Sequence, residues 1–185
     1  DLARTIPMMR LVQGDVGSGK TLVAALAALT VIEAGHQVAL MAPTEILAEQ
    51  HANNFKSWFK PLGVQVTWLA GKTKAAERKQ ALASIASGEA NMIVGTHAIF
   101  QEAVEFNHLS LVIIDEQHRF GVHQRLELRN KGVVYDKDQA LYPHQLVMTA
   151  TPIPRTLAMT AYADLDCSVI DELPPGRTPI TTVAL

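Results

Sequence analysis

Short apolar runs alternate along this chain with longer stretches in which apolar residues recur at helical spacing. That is the pattern of strands joined by crossover helices in a parallel sheet. Arg10 to Gln13 reads as the first strand, followed by a glycine-rich turn and a helix from Lys20 to Ala34. Leu22, Val23, Leu26, Leu29 and Ile32 leave that helix apolar nearly all round, so sheet and neighbouring helices are both expected to cover it. Gly35 stands where a left-handed C-cap would end it.

Val38 to Met41 is the second strand, and Leu47, Phe55 and Trp58 mark the helix that follows. Val64 to Leu69, Met92 to Val94 and Gln145 to Thr149 read as further strands, with a helix over Thr73 to Ala86. Leu109 to Ile114, LSLVII, is continuously apolar and rich in β-branched residues, as a central strand buried on both faces must be. Helices are expected over His118 to Lys131, with Arg125 and Arg129 on one face, and over Pro154 to Tyr162. Gly132 to Pro143 has no clean period and reads as a loop. Pro174-Pro175-Gly176 marks a boundary, giving one domain over 1–173 and the start of a linker over 174–185. The chain begins at Asp1 and stops in the strand-like run after Pro179, so it reads as an excised fragment.

Composition adds limits rather than a function. With 185 residues, 48% of them hydrophobic, the chain suffices for one buried core and not for two ordinary domains. A formal net charge of -2 gives no global attraction to nucleic acid, so any such contact has to come from local patches or backbone donors. No long apolar run or signal-like leader appears, and no membrane association is expected. Cys167, the one cysteine, is expected to be a buried, inert thiol in a reducing cytoplasm.

The candidate chemistry begins in the glycine-rich turn. Gly14-Asp15-Val16-Gly17-Ser18-Gly19-Lys20-Thr21 satisfies G-x-x-x-x-G-K-[ST] between an apolar strand and a helix start, where that motif must lie to bind phosphates. Its glycines allow a tight loop whose amides surround phosphate oxygens; Lys20 reaches the β and γ phosphates, and the Thr21 hydroxyl can ligate Mg²⁺. The implied cofactors are ATP and Mg²⁺. Asp115-Glu116 follows the buried strand directly. Asp115 suits the metal and Glu116 the base that deprotonates the attacking water; the alternative is a plain helix N-cap and first turn. Lys20, Asp115 and Glu116 are thus the catalytic candidates. His118 and His123 lack the spacing and partners of a zinc site.

Taken in order, these motifs resemble those of superfamily 2 helicases, and within them the bacterial translocases of branched DNA. GDVGSGKT at 14–21 is similar to motif I, APTEILAEQH at 42–51 to motif Ia and GTHA at 95–98 to motif Ib. DEQHRFG at 115–121 is similar to motif II, and TATPIPRT at 149–156 to motif III. The resemblance implies an α/β fold, a RecA-like P-loop NTPase domain with a mainly parallel sheet and helices on both faces, serving as the first of two motor lobes. It implies an ATP hydrolase that works as a DNA helicase at forks and junctions, in DNA repair and recombination. DNA-strand contacts are implied for Thr44 and for Gly95, Thr96 and His97, where helix capping is the competing reading. Gln117, His118, Thr149 and Thr151 would couple nucleotide state to DNA grip, and the Thr149 and Thr151 positions suit hydrogen bonds to the Asp115-Glu116 segment. Arg119 lies close enough to motif II to reach the cleft, with a solvated surface charge as the competing reading, and Arg155 suits a structural or interlobe role.

Two departures bound the reading. No adenine-contacting glutamine segment is evident in Asp1 to Met9, and neither a second lobe with its arginine finger nor a junction-recognising domain is present in these residues. The expected partners are DNA, through its phosphate backbone, and the second lobe of the same chain, in a monomer. The motor of a transcription-repair coupling factor is the nearest rival, although Gln117 stands where that family usually has a glutamate. A nucleotide-switched binding module without turnover is the rival from another class.

Overall fold

The computed structural model describes residues 1–4, 6–71, 73–116, 133–136, 139–151 and 165–172. The expected helices over His118–Lys131 and Pro154–Tyr162, and the boundary at Pro174-Pro175-Gly176, lie outside them.

Nine strands and three helices are described: β1 (Met9–Gly14), α1 (Lys20–Glu33), β2 (Gln37–Met41), α2 (Glu45–Phe59), β3 (Val66–Leu69), α3 (Ala75–Ser87), β4 (Met92–Gly95), β5 (Leu109–Asp115), β6 (Val134–Asp136), β7 (Gln139–Leu141), β8 (His144–Thr149) and β9 (Asp166–Ile170). Seven strands form one sheet in the order β3-β4-β2-β5-β8-β1-β9, every neighbouring pair parallel. All these strands therefore end on one edge of the sheet. β1 and β2 are consecutive in the chain yet separated by β5 and β8, and the crevice at such a reversal is where open α/β sheets bind ligands.

Strand alternation divides the core into two layers. Val12, Leu40, Leu111, Ile113 and Met148 meet α1 and α2 on one face. Leu11, Met41, Val112, Ile114 and Val147 meet Ile85 of α3 and the 3-10 turn over His97–Phe100 on the other. Being buried on both faces is why β2, β4 and β5 read as continuous apolar runs. Gln37 is buried among them without strain on its polar atoms. Its amide donates to the carbonyls of Ile85 and Ala90, and its carbonyl accepts from the amides of Asn107 and His108.

Three expectations need correction. The α1 helix is covered on one side only: Ala24, Ala25, Ala28 and Val31 face the sheet, whereas Leu22 and Leu26 are 57% and 59% exposed. Small alanines let the helix sit close to the strands; Leu22, Val23 and Leu26 are left outward, while Leu29 and Ile32 pack partly against the core. Residues 132–143 contain an antiparallel ribbon, β6 with β7, rather than only a loop. Strands of three residues are too short to show a period. Cys167 is exposed, because β9 is the edge strand beside β1, an element the sequence did not reveal. Leu47, Phe55 and Trp58 do lie on one helix, α2, with Trp58, 42% exposed, at the rim of an aromatic group with Phe55 and Phe59.

Candidate nucleotide and nucleic-acid site

Two glycines of the phosphate loop, Gly17 and Gly19, take positive φ of 85° and 94°, conformations in which a Cβ is strained. Gly14 is required for space instead: a Cβ there would lie 2.5 Å from Ser18 Oγ and 3.1 Å from Ile170 Cβ. Asp15, Val16 and Gly17 form the exposed tip, while Ser18, Lys20 and Thr21 are half-buried. Lys20 Nζ donates to the carbonyls of Gly14 and Asp15, each at 2.7 Å, so its ammonium lies over the loop. Gly19 supplies no side chain to cap α1, and the first turn holds no acidic residue. The Leu22 amide donates to the Gly19 carbonyl at 2.9 Å, so it is the Lys20 and Thr21 amides and the positive end of the helix dipole that remain available to an anion. Ser18 Oγ is buried against Gly14 with no hydrogen-bond partner.

Asp115 is the last residue of β5, and by alternation with Leu111 and Ile113 it faces the α1 and α2 side. Its Oδ2 lies 2.8 Å from Nε2 of His51 on α2. Glu116 is the one non-glycine residue with positive φ among the described residues, at 50°. Such a conformation costs about 1–3 kcal/mol and persists only where the surroundings hold it. Here the Glu116 amide donates to the Met148 carbonyl at 2.9 Å, and its carboxylate accepts from Thr149 Oγ1 and the Ala150 amide, both at 3.2 Å. The hydrogen bond expected between Thr149 and the Asp115-Glu116 segment is present. Thr151 joins through its backbone, whose amide donates to Thr149 Oγ1 at 3.1 Å; its side chain is exposed.

Register brings these groups to one end of adjacent strands. Gln13 pairs with Thr149 and Asp115 with Met148, so the loop that starts at Gly14 opens beside Thr149, and Asp115 lies one strand further along. β2 and β4 end on the far side of β5. There Thr44 caps α2, its Oγ1 accepting from the Leu47 amide at 3.3 Å, which leaves the hydroxyl proton to donate elsewhere. Gly95 is buried, and a Cβ on it would sit 2.3 Å from the Leu69 carbonyl oxygen, so close packing suffices to require glycine. Thr96 is 8% exposed, and His97 alone of the three is open to solvent. Gln117, His118, His123, Arg119, Arg125, Arg129 and Arg155 lie outside the described residues.

Sequence reasoning passed over His51, although a signal was there. It stands in the inward stripe of α2 with Ala48, Ala52, Phe55 and Phe59, where a polar residue calls for a partner.

Phosphate loop, paired carboxylates and parallel sheet together define a P-loop NTPase fold, and the chain belongs to the DEAD/DEAH box helicase family, whose sequence model matches residues 4–160. Over all 185 residues it is 74% identical to the ATP-dependent DNA helicase RecG of Escherichia coli K12 and 72% identical to that of Haemophilus influenzae. The chain spans 26% of the length of either relative. The solved structure of RecG bound to a three-way DNA junction superposes with a TM-score of 0.79 at 44% identity, over 97% of this chain and 23% of that one. Among the described residues, no helix is long and apolar enough to cross a membrane.

Proposed function

We propose that residues 1–173 form the ATP-binding first motor lobe of a monomeric, ATP-dependent DNA helicase that translocates on branched DNA, and that 174–185 lead toward a second RecA-like lobe. The observation that carries this reading is that Gly14, Thr149 and Asp115 end three adjacent strands, β1, β8 and β5, at one edge of the sheet. Branched DNA as the track is supported by the relatives, named DNA helicases, and by the neighbour bound to a three-way junction.

In this reading loop amides up to Thr21, other than that of Ser18, which donates to the Asp15 carbonyl, and the Lys20 ammonium bind the β and γ phosphates, with Lys20 exchanging its carbonyl partners for phosphate oxygens. The uncapped start of α1 fits such an anion. Thr21 and Asp115 would hold Mg²⁺, which when bound neutralises charge on the phosphates. Glu116 accepts the proton of the attacking water as its oxygen bonds to the γ-phosphorus and the bond to the β-phosphate oxygen breaks. The donors from Thr149 and Ala150 orient that carboxylate. Thr149, Thr151, Gln117 and His118 relay nucleotide state to the DNA side. Thr44 and the Gly95-Thr96-His97 segment, with its exposed imidazole, contact backbone phosphates. Charge developing on the transferred phosphoryl group requires a further cation from the second lobe, a contribution typically of about 10³- to 10⁵-fold.

The deciding experiment is the ATPase rate of the full-length protein with single-stranded, duplex and branched DNA. Branched DNA should stimulate it most. A rate indifferent to all three would overturn the reading.

A further inference from the structure

His51, the last residue of the 42–51 motif, has no role assigned above, yet it is the one side chain seen to bond Asp115 among the described residues. Both side chains are deeply buried, 10% and 13% exposed, and 2.8 Å apart. The other imidazole nitrogen, Nδ1, is buried and has no hydrogen-bond partner. A proton on Nδ1 would be a buried donor without an acceptor, whereas a lone pair there is the cheaper arrangement. The proton therefore sits on Nε2 and is donated to Asp115 Oδ2. That bond occupies one carboxylate oxygen, fixes the rotation of the group and leaves Oδ1 for a ligand. Carboxylates that bind metals are commonly held by such an outer partner.

The contact also joins two elements. Asp115 ends β5, beside the strands that carry the phosphate loop and Thr149, while His51 lies two helical turns into α2 from its cap at Thr44. Ala48, Ala52, Phe55 and Phe59 seat α2 on the sheet, so a shift of the helix moves the imidazole with it.

We propose that His51 is a positioning residue: it sets the Asp115 carboxylate for its cation and ties it to α2, so that DNA gripping the start of α2 is felt at the nucleotide site. This rests on the reading of Asp115 as the metal carboxylate and of α2 as a DNA-facing helix.

The test uses the full-length protein with His51→Ala, which removes the donor, and His51→Gln, whose amide nitrogen can stand where Nε2 stands. Affinity for a fluorescent ATP analogue is measured with and without Mg²⁺, and ATPase kcat and KM with and without branched DNA. His51→Ala should lose about tenfold or more of the affinity gained from Mg²⁺, with a comparable fall in DNA-stimulated kcat. Its affinity without Mg²⁺ should stay within about twofold, since the phosphate loop is untouched. His51→Gln should recover most of both. Should His51→Ala fail to fold, His51→Asn, too short to reach Asp115, takes its place. Equal losses with and without Mg²⁺, an unchanged Mg²⁺ dependence, or a glutamine variant as defective as alanine would each overturn the proposal. Wild-type ATPase indifferent to DNA would instead remove the helicase reading, while the Mg²⁺ dependence of binding would still judge His51.

Discussion

Thr149 Oγ1 donates to Glu116 Oε2 at 3.2 Å, joining the last residue of β8 to the residue that follows β5. The same hydroxyl accepts from the Thr151 amide, so one buried oxygen links the candidate base to the chain that leaves β8. A hydrogen bond to a charged group is worth about 1.5–3 kcal/mol, and loss of the orientation it gives the base should cost roughly tenfold or more in rate. Thr149→Ala in the full-length protein should lower DNA-stimulated kcat by about that factor with KM for ATP little changed, and Thr149→Ser should restore it. A variant that raises KM and keeps kcat would place Thr149 in nucleotide binding instead.

Glu116→Gln should bind ATP and DNA yet hydrolyse about 10²- to 10⁴-fold more slowly, as loss of a general base does. The amide keeps the shape: its oxygen can accept from the Ala150 amide while its NH₂ donates to Thr149 Oγ1, so thermal stability should change little. Turnover near the wild-type rate would show that Glu116 is not the base.

Lys20→Ala should weaken Mg-ATP binding by about 30-fold or more, the effect of removing one partner from a buried charge pair. Its bonds to Gly14 and Asp15 are to loop carbonyls, and it belongs to neither core layer, so the melting temperature should move by only a few degrees, on the order of 1 kcal/mol. Calorimetry paired with thermal melting separates the two; full nucleotide affinity in the variant would refute the phosphate-loop assignment.

Gly95 and His97 should part company under mutation. Gly95→Ala forces a Cβ against the Leu69 carbonyl and Ile99 Cγ2, and overpacking of this kind destabilises by about 1–3 kcal/mol whether or not DNA is present. His97→Ala, on the exposed side, should leave the melt unchanged and weaken binding to DNA evenly across sequences, as loss of a backbone contact would. Sequence-selective loss in His97→Ala would point to a base contact.

His144 introduces a pH dependence of stability. Burial pushes its imidazole below the ordinary value of 6.5, and its Nδ1 accepts from the Met8 amide at 2.8 Å, a bond that needs the neutral ring. The unfolded chain therefore binds a proton more readily than the folded one. Stability contributed by His144 is present above about pH 6.5 and is lost as pH falls through the lower folded value. Melting temperature of the full-length protein, followed from pH 8 to pH 5, should fall less steeply in His144→Gln than in wild type; parallel curves would remove His144 as the cause.

What could be read from the sequence was local. The phosphate loop was legible because glycine spacing, a lysine and the start of a helix lie within eight consecutive residues, and β5 was legible because burial on both faces leaves an unbroken apolar run ending in Asp115. The α/β order followed from periodicity alone. Tertiary structure decided what depends on neighbours far along the chain. The outward turn of Leu22 and Leu26, the exposure of Cys167 on β9 and the ribbon of β6 with β7 arise from which surface another element happens to cover, a property no single segment carries. His51 and Asp115 are 64 residues apart, and only the packing of α2 across the sheet brings a histidine in an apolar stripe onto a carboxylate at a strand end. Helical periodicity shows which face of α2 turns inward, but the partner waiting there is set by strand order, since β5 lies beside β2 only through pairing between segments distant in sequence.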